Sequence, residues 1–162
     1  MLKKTIEEAL NKQVNRELYS SYLYRAMTVY ANSINMKGSG HWLALQSDEE
    51  YMHAMKILTY IEEAGGEVKL LPIEAPKTPW KTLGEVFSEV YEHEQKVTKM
   101  IHDLVELAGK EKDFATLNML QWFVAEQVEE EANASEIVEK IKQVGDVIGH
   151  LFYLDKELGK RG

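Results

Sequence analysis

Apolar residues recur at three- and four-residue intervals along most of the chain, and this rhythm predicts helices throughout. A first helix is expected over Lys4–Ile34, a stretch free of Gly and Pro, with Ile6, Leu10, Gln13, Glu17, Tyr24 and Ala31 on one face. Asn35-Met36-Lys37-Gly38-Ser39-Gly40 reads as a turn, its glycines allowing unusual backbone angles and its serine capping the next helix. That second helix runs to about Ala64 and is closed by Gly65-Gly66. Its inward stripe is Leu43, Glu50, Ala54, Ile57 and Ile61, with His53 at the edge. A third helix, Leu83 to Ala108, carries Leu83, Phe87, Val90, Glu94, Val97 and Ile101 and is ended by Gly109. Asp113 caps a fourth that reaches Val144, with Leu120, Phe123, Gln127, Glu130, Ala134, Ile137 and Ile141 inward.

Between the second and third helices, residues 67–81 hold all three prolines, Pro72, Pro76 and Pro79, and fit neither a helix nor a central strand. Fifteen extended residues reach about 50 Å, more than the roughly 39 Å of a 26-residue helix, so this segment can cross the whole bundle. The second and third helices are then free to run parallel. The expected fold is all-α: a four-helix bundle over about 4–144 with one long crossover, and a short fifth helix over about 146–158, in one domain spanning 1–162. Val147, Ile148, Leu151, Phe152, Leu154 and Leu158 make that last helix broadly apolar. It packs across one end of the bundle or is buried against other subunits.

Each of the four long stripes carries an acidic residue at its middle: Glu17, Glu50, Glu94 and Glu130. An unpaired carboxylate in a core costs several kcal/mol, and no lysine or arginine shares these positions. Bound cations account for all four at once. Glu50 and His53 stand three apart, about 60° around a helix and 4.5 Å along it, so one ion can bind both. An internal repeat agrees, since Glu17 precedes Glu50 by 33 residues and Glu94 precedes Gln127 by 33. Two related hairpins would face each other with unequal metal positions. One uses Glu17, Glu50 and His53, the other Glu94 and Glu130, and Glu50 can bridge them.

Composition narrows the chemistry. The chain has no cysteine among its 162 residues, which excludes disulfides, iron–sulfur clusters and thiol catalysis and accords with a cytoplasmic location. A net charge of −8 speaks against nucleic-acid binding. No leader-like start or membrane-length apolar run is present, so no membrane role is expected.

The chain resembles the non-haem bacterial and archaeal ferritins along essentially its whole length. The resemblance rests on Asn15-Arg16-Glu17-Leu18-Tyr19 through Tyr24, Asp48-Glu49-Glu50-Tyr51-Met52-His53 and Tyr91-Glu92-His93-Glu94. It extends to Trp122-Phe123-Val124-Ala125-Glu126-Gln127-Val128-Glu129-Glu130-Glu131 and to Leu151-Phe152-Tyr153-Leu154-Asp155-Lys156-Glu157-Leu158. It implies a ferroxidase centre with one iron on Glu17, Glu50 and His53 and a second on Glu50, Glu94 and Glu130. It further implies a third iron on Glu49, Glu126 and Glu129 with Glu130 shared, Gln127 supporting the ligands and Tyr24 beside them. The same resemblance implies iron storage, with Fe(II) oxidised by dioxygen or hydrogen peroxide and ferric mineral held in a shell of twenty-four subunits. Bacterioferritins place a haem-ligating methionine directly after the bridging glutamate; here that position is Tyr51, and no haem is expected.

Some readings stay open at this level. Tyr24, seven residues after Glu17, has a redox, hydrogen-bonding or purely structural role. Trp122 is read as packing, and His41, His93, His102 and His150 as surface or satisfied histidines. A di-iron or di-manganese oxidoreductase that removes peroxide without storing metal, and a metal-free interaction module with protonated glutamates, are the competing functions.

Overall fold

Four apolar stripes become four long helices: α1 (Lys4–Ser33), α2 (Lys37–Glu63), α3 (Leu83–Lys110) and α4 (Phe114–Val144), followed by a short α5 (Ile148–Leu158). The computed structural model describes residues 1–145 and 147–162. The expected start of the last helix at Asp146 lies outside the described residues.

The stripe residues of all four long helices are buried, apart from the half-buried Ile141. They form two separate apolar clusters. One gathers Leu23, Met27 and Ala31 of α1, Leu43 of α2, Val86, Phe87 and Val90 of α3, and Ala134 and Ile137 of α4. The other gathers Ile6 and Leu10, Ile57 and Ile61, Ile101 and Leu104, and Leu120 and Phe123. The first cluster thus takes the starts of α2 and α3 together, and the second takes their ends, so the two helices run parallel. Residues 64–82 span the bundle from one cluster to the other, as the crossover length allows. Asn11 holds this segment by accepting from the Lys69 amide (2.6 Å) and donating to the Glu67 carbonyl (2.9 Å). Trp80 is buried where the segment arrives, its indole N–H donating to Glu89.

Three local expectations are corrected. The turn after α1 is shorter than its glycines suggest, because α2 already begins at Lys37 and both Gly38 and Gly40 are helical. These glycines serve close approach. A Cβ on Gly38 would stand 1.7 Å from the Asp155 carbonyl oxygen, and one on Gly40 2.4 Å from the Asn32 side chain. Ser39 is therefore no cap. Its amide and hydroxyl, with the Gly38 amide, donate to the Asp155 carboxylate of α5, which satisfies the free N–H groups of the α2 N-terminus from a distant part of the chain. Finally, α3 continues through Gly109 to Lys110. The chain turns at Lys112 (φ 55°), and Asp113 then caps α4 by accepting from the Thr116 amide at 3.0 Å.

α5 buries Leu154, Asp155 and Leu158 against the bundle, while Val147, Ile148, Phe152 and Tyr153 remain exposed. Packing across the bundle end uses only one of its faces. No helix among the described residues is long and apolar enough to cross a membrane.

Candidate metal centre

The two apolar clusters are separated by a polar layer drawn from the middle of each long helix. Glu17, Glu50 and Glu94 are each 1% exposed, His53 and Glu130 5% and Gln127 2%. Helical periodicity puts the carboxylates inside, because moving any of them to solvent would turn the flanking apolar residues outward with it.

Glu17 Oε1 accepts from Gln13 Nε2 at 2.8 Å, and Glu50 Oε1 receives Gln46 Nε2 at 3.4 Å. The second oxygen of each, Oε2, is buried without any hydrogen-bond partner; among the described residues no other buried side-chain polar atom is so placed. His53 Nδ1 lies 3.5 Å from Glu50 Oε2. Donor atoms of Glu17, Glu50 and His53 all fall within 4.8 Å of one another, so small side-chain adjustments bring them onto one ion. Two orphaned oxygens close to one another and beside an imidazole nitrogen can be satisfied by a shared proton or by a cation.

A second triple of donors within the same limit is His53, Glu126 and Glu130, with His53 Nε2 3.8 Å from Glu126 Oε1. Glu94 belongs to neither triple. Its carboxylate accepts from the Tyr24 hydroxyl and, at 3.1 Å, from Gln127 Nε2, which also reaches the Glu94 carbonyl and Thr98. Glu130 accepts from Gln46 Nε2 at 2.6 Å. Glu49 and Glu129 are exposed and Glu126 is half-buried, and Glu49, Glu126 and His53 line one surface pocket.

Tyr24 is fully buried, and burial followed by the charge of Glu94 holds its phenol well above the ordinary range. Its donated hydrogen bond gives it a direct hold on Glu94. His93 is a satisfied histidine: Ser20 Oγ lies 2.7 Å from its Nε2, and burial, helped by Lys96 and Arg16, lowers it to about 4. His102 and His150 are exposed, and His41 reaches the Arg161 carbonyl. Trp122 packs edge-on against His53 and Phe123 and carries Lys56 over its ring.

Gln46 and Arg161 are neighbours of the carboxylate layer that motif reading misses. Gln46 carried a signal: Gln13 and Glu17 recur 33 residues later as Gln46 and Glu50, so each glutamate has a glutamine one turn before it. Arg161 carried none.

Burial raises all four of these carboxyls, and neighbouring carboxylate charges add to the rise at Glu50, Glu94 and Glu130. Burial, then the charges of Glu94, Glu17 and Glu130, push Glu50 far up, and burial raises Glu17. Burial lifts Glu94 to about 7 against the hydrogen bonds of Tyr24 and Gln127, and burial with Glu94 lifts Glu130 to about 8. The folded, metal-free protein therefore keeps protons that the unfolded chain releases near 4.5. Stability from these groups is complete below about 4.5 and is lost as pH rises through 7 and 8. Each such carboxyl contributes a slope of up to about 1.4 kcal/mol per pH unit. Denaturant unfolding of chelator-treated protein is expected to show the midpoint falling from pH 5 to pH 8. A midpoint that rises over that interval would contradict the charge arrangement.

The fold and this layer define a class: a helical bundle built around a buried carboxylate–histidine layer whose donors could hold a metal ion. A model of the Ferritin-like domain matches residues 7–144. The chain is 43% identical over 161 residues to a bacterial non-heme ferritin of Bacteroides fragilis, covering 99% of this chain and all of that protein. It is 40% identical over 156 residues to one of Campylobacter jejuni, covering 96% of this chain and 93% of that protein. A solved open pore ferritin from the hyperthermophilic archaeon Archaeoglobus fulgidus superposes with a TM-score of 0.99 at 51% identity, each chain covered completely. The chain belongs to the ferritin family.

Proposed function

We propose that this protein stores iron, oxidising Fe(II) within each subunit and holding the ferric product inside a shell of twenty-four copies. The observation that carries the reading is the pair of orphaned oxygens, Glu17 Oε2 and Glu50 Oε2, beside His53 Nδ1. One Fe(II) takes Glu17, Glu50 and His53. The other takes Glu130 and Glu94 and shares Glu50. Glu94 can bind it without releasing Tyr24 or Gln127, because each carboxylate oxygen has two lone pairs. The hydrogen bonds then fix the ligand's orientation. Glu49, Glu126 and Glu129 supply a third, outer position that is more open to solvent.

Carboxylate oxygens with one imidazole suit Fe(II) and leave coordination positions free for an oxidant. Two Fe(II) ions give up one electron each, and dioxygen accepts both with two protons to reach the level of hydrogen peroxide. The Fe(III) produced hydrolyses, releasing protons to the acidic surroundings. Assembly is supported by exposed apolar side chains on separate faces. Tyr22, Tyr51, Met52 and Ile73 lie along α1, α2 and the crossover, and Ile148, Phe152 and Tyr153 lie on α5.

Adding Fe(II) to the purified protein in air, with light scattering and metal analysis afterwards, tests this. Expected is oxidation above the protein-free rate, with the iron remaining in solution and co-eluting with a particle of many subunits. Oxidation by small particles that retain only a few ions per chain would instead indicate peroxide removal without storage. No oxidation and no retained metal would leave a metal-free module.

A further inference from the structure

The segment after α5 returns along α2 and lays Arg161 across the outer side of the metal layer. The guanidinium rests on the Trp42 ring, 4.6 Å from its centre. Nη2 donates to Glu49 Oε2 at 2.5 Å, and Nη1 donates to Gln46 Oε1 at 2.9 Å. The same Gln46 then turns its Nε2 to Glu130 Oε2 (2.6 Å) and Glu50 Oε1 (3.4 Å). An amide with a cationic donor on one side and carboxylates on the other has only one orientation that satisfies both. The path of the segment is set by α5, which Asp155 ties to the Gly38 and Ser39 amides.

We propose that Arg161 is the resident counter-cation of the outer site: it neutralises Glu49 until a metal ion displaces it. The inference rests on the di-iron reading of the centre. A guanidinium holding Glu49 competes with any ion that needs that carboxylate, and its charge repels the ion as it approaches. The competition is reversible because the pair is partly solvated, with side-chain exposures of 24% for Arg161 and 47% for Glu49. Such pairs shift an equilibrium by a small factor, about two- to fivefold.

The test is anaerobic calorimetric titration of the assembled protein with Fe(II), and separately with Zn(II). Arg161→Gln is expected to bind the third, weakest ion about two- to fivefold more tightly. The gain should shrink at high salt, where the screening length is short. Arg161→Lys, which keeps the charge, should behave like the unaltered protein. In a Glu49→Gln background the gain from Arg161→Gln should be smaller, because only the repulsion of the ion by the guanidinium is left to relieve. Arg161→Met, which keeps a stem over Trp42 and loses the charge, should reproduce the gain if the glutamine variant fails to assemble. A third ion bound equally or less tightly in the uncharged variants, with two tight ions retained, overturns the role of Arg161 alone. Fewer than two ions per chain in the unaltered protein overturns the di-iron reading and this inference together.

Discussion

Glu50→Gln will reduce Fe(II) oxidation by at least about two orders of magnitude, to near the protein-free rate, while leaving the helical fold intact. Loss of a group that merely supports a metal ligand typically costs 10–100-fold, and Glu50 is proposed to touch both ions. Its Oε2 is one of the two orphaned oxygens, and its helix also supplies His53 one turn on. Glutamine keeps the size and the hydrogen-bond capacity toward Gln46 but offers a neutral, weaker ligand. Stopped-flow oxidation assays with circular dichroism on the same samples will check it. Retention of more than a tenth of the rate would place the reacting irons elsewhere.

Replacing the orphaned pair by apolar residues, Glu17→Met with Glu50→Leu, will make the metal-free protein more stable. A buried ionic group without compensation is often improved by a hydrophobic residue of similar volume, by about 1–4 kcal/mol. Here Leu and Met would join the clusters above and below the layer, and the gain is what remains after Gln13 Nε2 loses its carboxylate acceptor. The expected reading is a midpoint several degrees higher in thermal unfolding after chelation. The gain should be larger at pH 8 than at pH 5, since burial raises both carboxyls and their charged forms, the costly ones, grow with pH. Added Fe(II) or Zn(II) should stabilise the unaltered protein by mass action and leave the variant unmoved. A variant less stable than its parent at pH 8 would mean that the layer is self-sufficient and needs no cation.

Both outcomes express one compromise. A bundle that filled its middle with leucine would fold more firmly and bind nothing. This chain instead separates two apolar clusters by a layer whose carboxyls are pushed upward by burial and by one another.

Periodicity made the helices and their buried faces legible, because a turn of 3.6 residues fixes which side chains share a side whatever the helix later packs against. The central placement of Glu17, Glu50, Glu94 and Glu130 came from the same count, and so did the adjacency of Glu50 and His53. One error fell where a distant segment overrides a local signal, and another where a helix outran its glycine. Ser39 has the look of a cap, yet Asp155, 116 residues later, does the capping. Gly109 looks like a stop, yet α3 runs past it and the turn is made at Lys112.

What the sequence determined by itself is therefore everything that depends on rotation about a single helix axis, together with a crossover long enough to let α2 and α3 run parallel. Only the tertiary structure decided which helix meets which at each level: Tyr24 on Glu94, Gln46 on Glu130, Glu126 beside His53 and Arg161 on Glu49. Those partnerships depend on the axial shift and relative rotation of separate helices. Packing across the whole bundle sets both, and no spacing within one segment encodes either.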